Sequence, residues 1–224
     1  MDGRLREALI VLSALVRRFA RLAFPVLLCI AWTLGSGCES LGDGSAKGPA
    51  QAPRKVRVFA AASTTEVVEH LGALFEEGRV VASFGSSAAL SRQIEDGAPA
   101  DLFFSASSQW TGQLLAAGFV EGEEVSIAGN SIVCITPRGT ALDANGPTEL
   151  LDELEDGELV AIADAGVPAG EYARASLTHL DLLDAYRSRL VGLKDVRAVL
   201  HAVEQGEVSA GFVYATDARL GHVE

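Results

Sequence analysis

From Arg54 onward, short apolar runs alternate with longer stretches in which apolar residues recur every three or four positions. Residues 56–60, 80–84 and 101–105 read as strands. Residues 63–77 read as a helix, with Val67, Leu71, Leu74 and Phe75 at i, i+4, i+7 and i+8 on one face. Helices are also predicted over 88–95, where Leu90 and Ile94 lie four apart, and over 109–117. Gly78, Gly97 and Gly118 punctuate the three helix ends. A βαβαβα order implies an α/β domain with a parallel sheet covered on both faces.

A second set follows. Residues 131–136, 159–163 and 211–215 are expected strands, and 169–186 and 196–205 expected helices. Residues 137–157 are mostly turn-like and acidic, and no internal repeat is present. Two α/β lobes follow from this pattern, and a ligand between them would lie at the carboxyl ends of strands.

The region before Arg54 has a different character. Residues 22–34 form a 13-residue apolar run behind Arg17, Arg18 and Arg21. A membrane-spanning helix needs about 20 apolar residues, so the run suits the core of an export signal. Gly35-Ser36-Gly37 precede Cys38, and Leu34 to Cys38 resembles a bacterial lipobox in which Cys38 is lipidated. Its aliphatic residue stands one place further from the cysteine than usual, and the competing reading is a soluble export signal. The apolar patch at 8–16 fits no ordinary signal and suggests a natural start near Val11 or Val16. Residues 39–53 are small, polar and interrupted by Pro49 and Pro53, which reads as a flexible tether. Its root-mean-square reach would be roughly 20 Å. The expected division is therefore 1–37 export signal, 38–53 lipidated cysteine and tether, 54–130 first lobe and 131–224 second lobe.

Charge sharpens this division. The net charge of −12 averages a basic beginning with an acidic remainder of −15 over residues 38–224. Such acidity argues against a nucleic-acid partner. It does not exclude an anionic ligand held by local dipoles, because screening near 8 Å at physiological salt weakens distant repulsion. Cys134, in an apolar run, reads as a buried inert thiol, and the four histidines show no metal-ligand spacing.

Candidate chemistry concentrates at predicted helix starts. Ser63-Thr-Thr-Glu66 fits a capping box, and Ser86-Ser87 opens the next helix in the same manner. Pro168-Ala169-Gly170 opens a third, and Asp195 caps a fourth ahead of Val196. Taken singly, each is a cap and nothing more. A helix start nonetheless carries unpaired amides and about half a positive charge, so several aimed into one cleft would form an anion cage.

The motifs at 58–63, 83–87, 92–95, 97–103, 129–131, 167–170, 195–197 and 213–218 closely resemble the periplasmic molybdate-binding proteins of bacterial molybdate ABC importers. The resemblance implies a two-lobed periplasmic binding protein of type II. It implies an oxyanion held by Ser63 and Ser87 through hydroxyl and amide, by the backbone amides of Ala169 and Val196, and by the Tyr214 phenol. It further implies a monomer that delivers molybdate or tungstate to a membrane permease, with no cofactor, no metal-ion ligands of its own and no catalysis.

The donor chemistry agrees. Molybdate and tungstate are acceptor-only dianions near neutral pH, and amides, serine and tyrosine hydroxyls can all donate to them. About seven charge-assisted hydrogen bonds give a gross gain of roughly 10–20 kcal/mol before desolvation and closure costs. Sulfate is also acceptor-only, so another oxyanion is the alternative ligand. An enzyme using Ser63 or Ser87 as nucleophile lacks a G-x-S-x-G elbow. The family continues past its tyrosine motif, whereas this sequence stops at Glu224. The expectation is a truncated chain lacking the last strand of lobe 2 and the return to lobe 1, less stable than a complete member and possible as a non-transporting homologue.

Overall fold

The computed structural model describes residues 54–140 and 144–223. The expected export signal, Cys38 and the tether lie outside the described residues.

Strand β1 (Arg54–Ala61) is the centre of the first sheet. It pairs in parallel with β2 (Gly78–Gly85) on one side and β3 (Leu102–Phe104) on the other, giving the order β2-β1-β3. The intervening helices are α1 (Thr65–Ala73), α2 (Ser87–Glu95) and α3 (Ser108–Ala116). Side chains alternate across β1. Val58 and Ala60 meet Val68 of α1 in one small buried cluster, and α2 also packs on β1.

Two expectations for this half need correction. The predicted apolar face of the first helix is not its packed face: Val67 and Leu74 are 46% and 56% exposed, while Val68 is buried. Gly78 does not stop that helix, which ends at Ala73. It begins β2 opposite Arg54, where an added Cβ would stand 2.1 Å from the Arg54 carbonyl oxygen. Close strand approach is what requires glycine here.

The second sheet contains β4 (Ile132–Ile135), β5 (Val160–Ala163), β6 (Leu190–Leu193) and β7 (Ala210–Tyr214). Its order is β4-β7-β5-β6; β5 runs parallel to β6 and β7, and β4 runs antiparallel to β7. Helices α4 (Pro147–Glu153), α5 (Pro168–His179), α6 (Leu183–Tyr186), α7 (Val196–Glu204) and α8 (Ala215–Ala218) accompany it. Alternation along the strands builds two cores. Ala161, Val213 and Ile135 pack with Val199 and Val203 of α7. Val160, Ile162 and Phe212 pack with Leu150, Ala173, Leu177 and Tyr186. Cys134 adjoins the latter cluster as a free thiol that burial pushes up to about 12, which suits an inert role.

Three local differences from expectation appear here. The single helix expected over 169–186 breaks, because Asp181 adopts φ 57 between α5 and α6. The turn-like stretch 137–157 contains α4, opened by Pro147 in its first turn and anchored by buried Leu150. Strand β6 was not expected, and it closes one edge of the sheet. Tyr186 joins α6 to α4 by donating its hydroxyl to the Pro147 carbonyl, and its ring meets Phe212 edge-on at 5.9 Å.

Candidate functional site

The carboxyl ends of β1, β2 and β7 converge with the starts of α5 and α7 on one small cavity of about 20 Å³. Its lining includes Ser63, Ser87, Ala169, Val196 and Tyr214, so all five residues singled out from sequence meet in one place. A volume of this size is about that of a single water. A larger recess of about 360 Å³ lies at the amino ends of β5 and β7, beside Glu158 and Glu207, away from every one of these residues.

Local structure explains how donors are left available. Ser86 caps α2 by accepting from the Ala89 amide at 3.2 Å. That satisfies the third amide of the helix and leaves those of Ser87 and Ala88 outside the helical ladder. The Ser87 hydroxyl oxygen accepts from the Ala106 amide at 3.0 Å, so its own proton remains to be donated. Asp195 acts likewise at α7, accepting from the Ala198 amide at 2.9 Å and leaving Val196 and Arg197 ahead of the capped position. At α5, Pro168 has no amide proton, and Ala169 and Gly170 follow, both buried. An added Cβ at Gly170 would lie 2.1 Å from the Ala163 carbonyl oxygen, so glycine lets this helix start press against β5.

The capping box expected at Ser63 does not form. Ser63 sits in a 3-10 turn, Ala62–Thr64, and neither that turn nor α1 has a side-chain cap. Thr64 and Thr65 instead donate their hydroxyls back to the carbonyls of Ala61 and Ala62 at 2.7 and 2.8 Å. Glu66 is engaged elsewhere, and Ser63 is left facing the cavity.

Tyr214 is 5% exposed, and its hydroxyl has no hydrogen-bond partner among the described residues. Burial, reinforced by nearby Tyr172 and Asp217, pushes its phenol well above the usual range, so it stays protonated and able to donate. Tyr172 of α5 braces it edge-on at 6.5 Å between ring centroids. Neither lysine nor arginine lines the cavity, and its one carboxylate belongs to the capping residue Asp195. The lining also holds no histidine that could activate a serine. Among the described residues no group of three or more His, Cys, Asp or Glu could hold a metal ion. Apart from that capping carboxylate, the polar side chains of the lining are the neutral hydroxyls of Ser63, Ser86, Ser87 and Tyr214, set among alanine, valine, proline and glycine.

An ionic cluster flanks it that sequence reading did not find. Arg197 donates to both oxygens of Glu66, at 2.8 and 2.6 Å, from α7 across to α1. Its Nε also lies 2.9 Å from Oδ1 of Asp217, an ion-pair distance reached off the line of a hydrogen bond. Burial pushes Glu66 up, but the Arg197 contacts and a backbone hydrogen bond at Glu66 together outweigh it and hold the carboxyl below its usual range. Asp217 is fully buried, and that burial raises it to about 6 despite the guanidinium. A readable signal did exist: Arg197 is the second residue of its helix, where the dipole disfavours a cation, so a specific anionic partner was to be expected.

Residues 56–224 match the family model described as bacterial extracellular solute-binding protein. The chain belongs to this family. Among solute-binding relatives, the molybdate-binding protein ModA of Haemophilus influenzae is 40% identical over 178 residues, covering 75% of this chain and 69% of that one. The putative ABC transporter substrate-binding lipoprotein YvgL of Bacillus subtilis is 34% identical over 208 residues, covering 89% and 76%. The solved periplasmic molybdate-binding protein of Azotobacter vinelandii superposes with TM-score 0.64 at 28% identity, over 71% of each chain. The two-sheet α/β arrangement is that of type II periplasmic binding proteins. No described helix is long and apolar enough to cross a membrane.

Proposed function

We propose that this solute-binding protein captures molybdate, and tungstate with it, in the cavity between its two sheets and delivers it to the permease of an ABC importer. The observation that carries this reading is the convergence of Ser63, Ser87, Ala169, Val196 and Tyr214 on one cavity lined by donors and by no cationic side chain. The Ser63, Ser87 and Tyr214 hydroxyls and the amides of Ser63, Ser87, Ala169 and Val196 are the ligand-binding groups. The Ser87 oxygen is already occupied as an acceptor and the Tyr214 phenol is held protonated, so both are set to donate. Relatives named as molybdate-binding proteins support the choice among oxyanions.

On this reading residues 54–130 and 131–224 are the two lobes. The protein acts as a monomer without cofactor, catalysis or nucleic-acid partner. Lipidation of Cys38 tethers it at the periplasmic side of a bacterial membrane, and a relative named as a lipoprotein supports that anchoring. Isothermal titration calorimetry tests the assignment: molybdate and tungstate bind, and sulfate binds far more weakly. Equal sulfate affinity overturns it. The double variant Ser87→Ala/Tyr214→Phe keeps its fold by circular dichroism and loses about 10²- to 10⁴-fold in molybdate affinity, as expected for two lost hydrogen bonds to a charged ligand.

A further inference from the structure

Each member of the Glu66–Arg197–Asp217 cluster lies within three residues of a different cavity residue. Glu66 follows Ser63 by three positions, Arg197 directly follows Val196, and Asp217 follows Tyr214 by three. The cluster therefore connects three separate chain segments that line the cavity. Two of the segments belong to the second sheet and one to the first. Arg197 is the joint: its terminal nitrogens grip Glu66 while its Nε faces Asp217. Across the cavity, Glu66 to Arg197 spans 131 residues of sequence, so the contact owes nothing to local chain geometry.

We propose that Arg197 is a closure latch, a positioning residue that holds the start of α1 against the start of α7 and so governs how fast a captured anion escapes. The assignment fits the burial of its partners. Asp217 is fully buried and orients the guanidinium from beneath, while Glu66 is 47% exposed and sits where opening of the cleft would release it to water. A bidentate fork fixes orientation as well as distance. Because Glu66 does not line the cavity, the latch acts without touching the anion. It thus affects release of every bound oxyanion equally and does not alter selectivity.

The test uses the full chain and the variants Glu66→Gln and Arg197→Gln. In the first arm no oxyanion is added, and hydrogen–deuterium exchange is followed at 62–68 and 196–199. Glu66→Gln accelerates exchange there by about two- to fivefold, the scale of one partly exposed pair, with other segments unchanged. In the second arm, which rests on the oxyanion reading, stopped-flow fluorescence follows molybdate. Release quickens by a similar factor while the association rate stays within error, and the molybdate-to-tungstate ratio of affinities is unaltered. Adding Glu66→Gln to Arg197→Gln produces no further change, because the interaction is already gone. Unchanged exchange and release in Glu66→Gln overturn the latch, as does acceleration spread over all elements. If the unmutated chain binds no molybdate, the functional reading fails while the exchange arm still decides the latch.

Discussion

The two halves of the molecule bring equal importance to the cavity and unequal amounts of packing. Around β2-β1-β3 the buried cluster among the described residues is small and centres on Val58, Ala60 and Val68. Around β4-β7-β5-β6 both faces are packed, with Val160, Ile162, Leu177 and Tyr186 on one side and Val199, Val203 and Val213 on the other. Yet Ser63 and Ser87 come from the lightly packed half, and Ala169, Val196 and Tyr214 from the heavily packed one. Placing a donor does not demand a deep core behind it. It demands a strand end and a helix start at the right distance, and the first half supplies these from a central strand and two crossovers.

The sharpest way to break this contrast is by truncating side chains. Leu177→Ala, in the second half, lowers stability by about 2–5 kcal/mol, whereas Val68→Ala in the first lowers it by about 1–2 kcal/mol. Urea denaturation measures both, and equal losses would refute the asymmetry. Titration probes the buried charge. Asp217 is raised to about 6 in the folded chain, so between about pH 4 and 6 the folded state holds a proton that the unfolded state has lost. Its contribution to stability is present at lower pH and disappears as pH rises through 6. Asp217→Asn removes that slope, worth at most about 3 kcal/mol, and melting temperatures of both chains at pH 5 and 7 reveal it. Glu66 is shifted the opposite way, and its contribution is lost as pH falls through its lowered value. Smallest of all is Leu74→Ser, whose side chain is 56% exposed and whose melting point should move by less than about 0.5 kcal/mol equivalent.

What could be read from the chain divides along the range of the interactions. Strand cores, the caps Ser86 and Asp195 and the five cavity residues depend on neighbours within a few positions or on recognisable motifs, and these were legible. Glu66 was misread because a capping box and a partner on a distant helix ask for the same carboxylate, and only the fold brings Arg197 within reach. The apolar spacing through residues 169–186 continues past His179, so nothing local announced that Asp181 would turn left-handed. Strand β6 is four residues long, and α4 lies among acids with only a few apolar residues, leaving periodicity too little length to register. The inward turn of Val68 in place of Val67 is a similar matter: the 3-10 turn before α1 rotates the helix relative to the simple count.

The position of β7 has a consequence in time. It follows β4, β5 and β6 in the chain, yet it lies inside the sheet they share, between β4 and β5. Until residues 210–214 arrive, β4 has no partner in that sheet and the β5–β6 pair has an open edge. Assembly of this sheet must wait for residues 210–214 and then proceeds through long-range pairings that form slowly. The cavity, which includes Tyr214, is completed in the same event that joins β4 to the β5–β6 pair.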